Sequence, residues 1–313
     1  MAVYVMEKFD KEQKIFEIAD VKVGGQPGEL PTVLIGTIFY EGHKIVNDHR
    51  KGTFDKQKAE SLLNKQEEMS DLTGNPCIID VFGQTSEALI NYIDFISEAS
   101  KAPFLVDSTS ANERIPAIKH AIEIGLRNRA IYNSIDYNFN DDELNELKNL
   151  KTESAVVLCY NPLNAWPKGR TEILKGTDRA ESLLEAAEKA GISNMLVDTA
   201  VLDVPSIIFA SEAINLVKKE LGLPAGCGPS NAITTWRKVR KGMGPYAYDS
   251  CLSGACIVTQ MYYADFTLYG PIEFAEKVFP ACAMTDAITT YNARSIGIKP
   301  ATTEHPLTKI FKD

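Results

Sequence analysis

Short apolar runs recur along the chain, and several of them end in Asp or Asn. The runs Cys77–Asp80, Phe104–Asp107, Ala130–Asn133, Val156–Asn161 and Met195–Asp198 share this form. Continuous apolar runs of this length are typical of strands buried on both faces of a parallel sheet. If these strands are parallel neighbours, we expect their polar ends to converge on one face, which would then be the functional site.

Helical periodicity follows almost every run, so strands and helices alternate from residue 32 onward. Further strands are predicted at Thr32–Phe39, Pro224–Gly228 and Asp265–Gly270, which brings the number to eight. The predicted helices are Phe54–Thr73, Ser86–Ser100, Ala111–Ile124, Asp141–Leu150, Asp178–Ala190, Pro205–Leu221, Asn231–Lys238, Ser250–Ala264 and Glu273–Ser295, with Asn161–Gly176 expected to be a long loop. Eight such units predict a (β/α)₈ TIM barrel of class α/β. A doubly wound sheet is disfavoured because no G-x-G-x-x-G turn follows the first strand.

The segment before the first strand predicts a small antiparallel hairpin. Residues 14–23 alternate on either side of Ala19-Asp20, and Gly24, Gly25 and Gly28 follow. We expect this short N-terminal β-hairpin to plug the bottom of the barrel. No linker divides the chain, so a single domain over residues 1–313 is predicted.

Charge and hydropathy narrow the class of partner. The net charge of −9 argues against nucleic acid or an anionic membrane surface. No apolar run approaches the roughly 20 residues that span a bilayer, and the N-terminus has no secretory signal. We therefore predict a cytoplasmic protein. The Cys and His residues are not clustered in the sequence, so no metal site is predicted.

The carboxyl ends of barrel strands face the active site, which predicts a cavity of polar side chains. The strand ends contribute Asp80, Asp107, Asn133, Asn161 and Asp198, and the loop after strand seven contributes Gly228, Ser230 and Asn231. A helix-capping role is the alternative for each Asp or Asn. The capping alternative is weaker for all five residues together, because capping residues are expected a residue or two later. After Asp107, for example, they would be Ser108, Thr109 or Ser110.

Asp107 and Asp198 have no Lys or Arg beside them in the sequence, and buried carboxylates need donors. A ligand with an amidine-like N–H edge would supply these donors, and amide side chains would complete its remaining polar edge. A glycosidase is the competing interpretation, but no Glu lies at a strand end. Nucleophilic catalysis is poorly supported, because the sequence has no G-x-S-x-G turn.

Several segments carry a specific resemblance. They are Phe9–Ile18, Gly24–Glu29, Leu34–Tyr40, Leu105–Thr109, Tyr132–Ile135, Leu268–Glu273 and Glu304–Leu307. From about residue 7 onward the chain resembles the MtrH subunit of tetrahydromethanopterin S-methyltransferase and its relatives. That resemblance implies a (β/α)₈ enzyme that moves a methyl group between N5 of a reduced pterin and the cobalt of cobalamin on a corrinoid protein. It also implies a homodimer.

The sequence departs from the archaeal members of this family after strands six and seven. In place of a Gly-rich segment and an Ile-His-Asn-Val motif, it has Leu202–Ser206 and Gly228–Ala232. This is more similar to the bacterial, free-standing branch that uses tetrahydrofolate, which is therefore the expected pterin. Tetrahydromethanopterin, or a pterin-binding subunit of a larger methyltransferase complex, is the alternative.

The resemblance also assigns roles to residues. It implies that Asp107 and Asp198 accept hydrogen bonds from the pterin N–H groups, and that Asn133 completes this edge of the ring. Asp80 is a further member of the site. Asn231 corresponds to the Asn that hydrogen-bonds near N5, and is therefore the expected catalytic residue.

Overall fold

Eight parallel strands close into a barrel in the computed structural model, which describes residues 6–178 and 180–311. In spatial order the strands are β3 (Val33–Ile38), β6 (Cys77–Phe82), β7 (Phe104–Asp107), β8 (Ala130–Ile135), β9 (Ser154–Leu158), β10 (Asn194–Asp198), β11 (Ala225–Cys227) and β12 (Phe266–Pro271). Each neighbouring pair is parallel, and β12 pairs with β3 to complete the circle. The predicted TIM barrel is confirmed.

Helices cover the outside of the barrel. They are α1 (Lys56–Thr73), α2 (Ser86–Ala99), α3 (Ala111–Glu123), α4 (Asp141–Leu150), α5 (Pro167–Lys175), α6 (Leu183–Lys189), α7 (Ile207–Leu221), α8 (Pro229–Thr235), α9 (Arg237–Lys241), α10 (Ala247–Met261), α11 (Ala275–Ala293) and α12 (Pro306–Lys309). Short 3₁₀ turns occupy Ile272–Phe274 and Arg294–Ile296. Within the described residues, no helix combines the length and apolar character needed to cross a membrane.

The predicted N-terminal hairpin is present as β1 (Ile15–Ile18) and β2 (Val21–Gly24). Its buried residues Ile18, Val21 and Val23 join the inner core with residues from inside the barrel, such as Ile35 and Phe266. A second and larger cluster packs the helices onto the outside of the strands. The hairpin therefore closes the amino-terminal end of the barrel, as expected, and leaves the carboxyl end open.

Some predicted elements are wrong. The expected loop Asn161–Gly176 contains helix α5, which begins at Pro167, the favoured residue for a first helical turn. The expected helix Asp178–Ala190 is shortened to α6, because an isolated bridge pairs Thr177 with Ala180; position 179 lies outside the described residues. A two-stranded hairpin, β4 (Val46–Asp48) with β5 (Thr53–Phe54), was not predicted.

Candidate active site

A cavity of about 590 Å³ opens at the carboxyl end of the barrel. Its lining comprises Thr37, Tyr40, Glu41, Asp80, Phe82, Asp107, Ser108, Thr109, Arg114, Asn133, Ser134, Asp136, Leu158, Asp198, Ser230, Asn231, Thr234, Arg240, Leu268, Gly270 and Pro271. All the predicted site residues except Asn161 and Gly228 lie in this wall. The sequence therefore predicted the location of the cavity correctly.

Asp80 is the most deeply buried acid of the cavity, at 3% exposure. It lies within β6 rather than at its end, beside Thr37 on β3. The Thr37 hydroxyl donates to Asp80 Oδ2 at 2.7 Å, while Oδ1 is buried without a partner in the part of the chain that the structure describes. Burial raises the pKa of Asp80 to about 7, against the lowering effect of the Thr37 hydrogen bond. The cavity thus contains a buried carboxyl group with one oxygen, Oδ1, that has no donor among the described residues.

Asp107 ends β7 and lies beside Asn133 of β8 in the parallel register. Burial raises its pKa well above the usual range, and the nearby charges of Asp80 and Asp198 raise it further. The Arg114 guanidinium acts in the opposite direction. Ser110, and not Asp107, caps helix α3 by accepting from Asn112 N. The capping alternative is therefore excluded for Asp107, whose carboxylate lines the cavity.

Asp198 ends β10 on the far side of the barrel, three strands from Asp107 in the closed order. Its Oδ1 accepts from the backbone N–H of Ala200 at 2.7 Å. Burial raises the pKa of Asp198 to about 6, partly offset by this hydrogen bond and by the Arg170 charge. Three carboxyl groups with raised pKa values therefore share one cavity, an arrangement typical of functional sites.

The loop after β11 forms another part of the wall. Ser230 is buried and lines the cavity, whereas Asn231 is exposed. Gly228 does not line the cavity, which corrects the prediction for that residue. A Cβ at Gly228 would lie 3.3 Å from Asn231 Nδ2, so Gly228 leaves room for the Asn231 amide. Asn231 can therefore reach a ligand from the open end.

Asn161 is not part of the site. Its side-chain oxygen accepts from Leu163 N at 3.0 Å and Asn164 N at 3.2 Å, and its amide donates to Gly169 O. β9 ends three residues earlier, at Leu158, so Asn161 lies beyond the strand and orders the loop before α5. The sequence placed it in the cavity because an apolar run precedes it, but that run is longer than the strand.

Arg114 is a buried cation of the wall that the sequence analysis missed. Its guanidinium donates to Ser108 O at 2.6 Å and Ser134 O at 3.0 Å, which joins the residue after β7 to the carboxyl end of β8. Glu143 accepts from Arg114 at 3.4 Å and from the Tyr132 hydroxyl at 2.6 Å. Arg114 therefore holds the two strand ends that carry Asp107 and Asn133. Its position on the first turn of a helix gave no signal in the sequence.

Two other missed residues had weak sequence signals. Thr37 interrupts the apolar run of the first strand, and Arg240 belongs to the basic segment Arg237–Lys241. Together the wall offers acceptors at its acids, amides at Asn133 and Asn231, and one guanidinium at its outer edge. A ligand with several N–H donors would satisfy the acids, and buried polar groups require such partners.

Comparison with known proteins defines the family. The model of the family described as tetrahydromethanopterin S-methyltransferase MtrH subunit matches residues 11–301. The MtrH subunit of the Methanococcus maripaludis tetrahydromethanopterin S-methyltransferase is 46% identical over 320 residues, covering 98% of this chain and all of that protein. The protein of the same name from Methanocaldococcus jannaschii is 46% identical over 319 residues, with 97% and 100% covered.

Solved structures show the same fold at low identity. A Xanthomonas albilineans dihydropteroate synthase with 4-aminobenzoic acid superposes with a TM-score of 0.61 at 16% identity, covering 88% of this chain and 98% of that one. A Yersinia pestis dihydropteroate synthase with a pterine–sulfa conjugate gives 0.60 at 14%, covering 91% and 100%. These structures support the barrel fold alone. On the extent and identity of its sequence matches, the chain belongs to the MtrH family of tetrahydromethanopterin S-methyltransferase subunits.

Proposed function

We propose that the cavity binds a reduced pterin and that the protein moves a methyl group between N5 of this pterin and a corrinoid on a partner protein. The observation that carries the proposal is the group of three carboxyls with raised pKa values, Asp80, Asp107 and Asp198, in a member of this family. The aminopyrimidine edge of a pterin presents adjacent N–H groups, which can donate to the oxygens of these three carboxyl groups.

The residues divide into an anchor and a reaction side. Asp107 and Asp198 accept from ring N–H groups, Asn133 completes the edge of the ring, and Asp80 Oδ1 takes a further donor. Ser230 and Asn231 approach from the outer part of the wall. The exposure of Asn231 suits a pterin whose methyl group faces the open end, where a corrinoid domain can approach.

Asn231 acts on the nitrogen that loses the methyl group. When the N5–CH₃ bond breaks, its electron pair remains on N5, and the nitrogen is a better leaving group if it gains a hydrogen bond or a proton in that step. The amide of Asn231 supplies the hydrogen bond, and the proton comes from solvent at the open end. The partner's cobalt, in its reduced form, supplies the electron pair for the new bond to the methyl carbon.

Substitution of Asn231 tests this assignment. We expect Asn231→Ala to lower the rate of methyl transfer about 10²-fold or more while pterin affinity changes little, because one transition-state hydrogen bond is lost. Corrinoid absorbance reports the transfer, and calorimetry reports the affinity. Asn149→Ala, at an exposed Asn of helix α4, is the control. An unchanged rate in Asn231→Ala would refute the catalytic role.

Tetrahydromethanopterin is the pterin that we propose first, because the relatives compared above are named for it. Tetrahydrofolate remains the second candidate, on the basis of the segments Leu202–Ser206 and Gly228–Ala232. Titration of the protein with both pterins side by side decides between them. Tighter binding of tetrahydrofolate would reverse the order.

The relatives are named as subunits, which supports a role for the chain beside a corrinoid protein in a larger assembly. The other possibility is a free-standing enzyme that meets its corrinoid protein only during transfer. Transfer of methyl groups from methylcobalamin to a pterin by the isolated chain would support the free-standing form. Pterin binding without any transfer would support a binding subunit. A single domain over residues 1–313 and a cytoplasmic location stay predictions.

Homodimerisation through helices α10 and α11 is also proposed. Their outer faces place Val258, Met284, Ile288 and Tyr291 in solvent, and the surface residues of α11 from 280 to 292 carry no charge. Helices of 15 and 19 residues lying side by side offer a face on the order of 500 Å². A standard interface buries about 800 Å² per partner, so this face has more than half of the area that a standard interface needs.

The uncharged α11 surface from 280 to 292 is compatible with a second copy of itself, since no like charges are brought together there. We expect the protein to elute as a dimer in size-exclusion chromatography with light scattering, and Ile288→Glu to shift it to a monomer. Leu72→Glu, at an exposed leucine on α1, is the matched control. A monomeric unchanged protein would refute this assignment.

A further inference from the structure

Helix α9 is a basic segment at the open end of the barrel. Four of its five residues, Arg237, Lys238, Arg240 and Lys241, are cations in a chain whose net charge is −9. All four are exposed, and within residues 6–178 and 180–311 none of them lies within ion-pair distance of a carboxylate. Their charge is therefore available to a ligand.

Arg240 is the cation of this helix that lines the cavity. Its guanidinium lies 4.4 Å from the ring centroid of Tyr248, a buried residue of α10. A cation–π contact of this kind restricts the rotamers of an exposed arginine. Val239, buried between the cations, anchors the short helix to the body of the protein. Arg240 is thus held at the edge of the cavity.

The cavity is consequently polarised along its depth. Asp80, Asp107 and Asp198 supply negative charge, Phe82, Leu158 and Leu268 contribute apolar surface, and Arg240 supplies positive charge at the edge. Glu41 and Asp136 also line the wall, on the loops after β3 and β8. The other cation of the lining, Arg114, is buried and bonded to Ser108 O, Ser134 O and Glu143, so the exposed positive charge of the wall is on the side formed by α9.

We propose that Arg240 binds an anionic group, a carboxylate or a phosphate, at the tail of the ligand whose N–H edge is held by the acids of the cavity. This inference rests on the proposed function and extends it, because it assigns a binding group to the non-reacting end of the substrate. A guanidinium presents paired N–H donors that match both anions in bidentate geometry. Binding energy from such a remote group holds the reacting end in place.

An acidic face of the partner protein is the competing occupant of helix α9. Arg237, Lys238 and Lys241 do not line the cavity and are the residues that such a face would contact first. Arg240 lines the cavity and is held over the ring of Tyr248, which favours the ligand tail for this residue. The two occupants make different predictions, because only the tail can alter the affinity of a free pterin.

The test compares pterins with and without an anionic tail. The ligands are 6-methyltetrahydropterin, which has no acidic tail, tetrahydrofolate, whose tail ends in carboxylates, and tetrahydromethanopterin, whose tail also carries a phosphate. Calorimetry on the full chain measures their dissociation constants for the unchanged protein, Arg240→Gln, Arg240→Lys and Arg294→Gln. Arg294 is the matched control, since it lies 5.8 Å over the ring of Tyr291, far from the cavity on the last turn after α11.

We expect Arg240→Gln to weaken at least one of the tailed ligands about tenfold or more and to leave 6-methyltetrahydropterin unchanged. Arg240→Lys should restore part of the loss, and Arg294→Gln should have no effect. Equal weakening of tailed and tail-free pterins, or no weakening of any, would overturn the inference while leaving the proposed function intact. Failure of the unchanged protein to bind any of the three would overturn both.

Discussion

The carboxyl group of Asp80 should make the ligand-free protein less stable as the pH rises. Its pKa in the folded protein is raised to about 7, and an unfolded aspartate titrates near 3.8. Between these values the folded state binds more protons than the unfolded state, so the free energy of unfolding falls with increasing pH and levels off above about pH 7. Asp80→Asn removes this ionisation, and the variant is expected to be more stable than the unchanged protein at alkaline pH.

The magnitude follows from the difference between the two pKa values. The pKa values of the folded and unfolded states differ by about 3, which corresponds to roughly 4 kcal/mol once Asp80 is ionised in both states. About 2–3 kcal/mol of this develops between pH 5 and pH 8, because an unfolded aspartate is already ionised at pH 5. The asparagine oxygen can still accept from the Thr37 hydroxyl, so the contact at 2.7 Å is retained in the variant.

Urea unfolding at pH 5 and pH 8, without ligand, measures both quantities. Asp80→Asn should unfold at higher urea than the unchanged protein, with the larger gain at pH 8, and it should bind pterin more weakly. Thr37→Val provides the opposite control: it removes the hydroxyl that donates to Asp80 Oδ2 and should destabilise the protein by about 1–2 kcal/mol at pH 8, and by less at pH 5. An Asp80→Asn variant no more stable than the unchanged protein at pH 8 would show that ionised Asp80 does not destabilise the fold.

Two further predictions concern the scaffold. Lys218→Met should lower the free energy of unfolding by about 3–5 kcal/mol, because Asp265 would lose a buried partner at 2.6 Å and Gly25 O would lose its donor. Urea unfolding measures this change, and a stability within about 1 kcal/mol of the unchanged protein would contradict it. Gly36→Ala should lower the free energy of unfolding by at least ~1–3 kcal/mol, because the added Cβ would lie 2.2 Å from the hydroxyl of fully buried Tyr269. Thermal unfolding measures the second effect, and an unchanged melting temperature would contradict it.

The barrel was predictable because its strands carry an unusually regular signal. Runs such as Cys77–Phe82 and Phe104–Asp107 contain a single polar residue each and are separated by helices of ordinary length. The errors fall where local sequence is ambiguous. Helix α5 lies in a segment with two prolines and a glycine, which is typical of irregular structure, and β4 and β5 are too short to show periodicity.

The convergence of these polar residues on one cavity was predictable for the same reason, since strand ends converge in a parallel barrel. Which individual side chains face the cavity, and which bond elsewhere, was not predictable. Asn161 resembled the other strand-end residues but orders its own loop, and Gly228 lies behind Asn231. Arg114 is far from Ser134 in the sequence and meets its carbonyl only when β7 and β8 pair. Contacts of this kind depend on tertiary packing, which a periodic pattern does not encode.

The N-terminal hairpin has a consequence for the order in which the protein forms during synthesis. Ile18 and Val23 leave the ribosome early, but their packing partners include Phe266 of the last strand, almost 250 positions later in the chain. The backbone N–H of Lys14 likewise bonds to Gly222 O, and Lys218 donates to Gly25 O. This segment, which is translated long before its packing partners, is therefore among the last to reach its final position, and until then its apolar side chains depend on transient partners or chaperones.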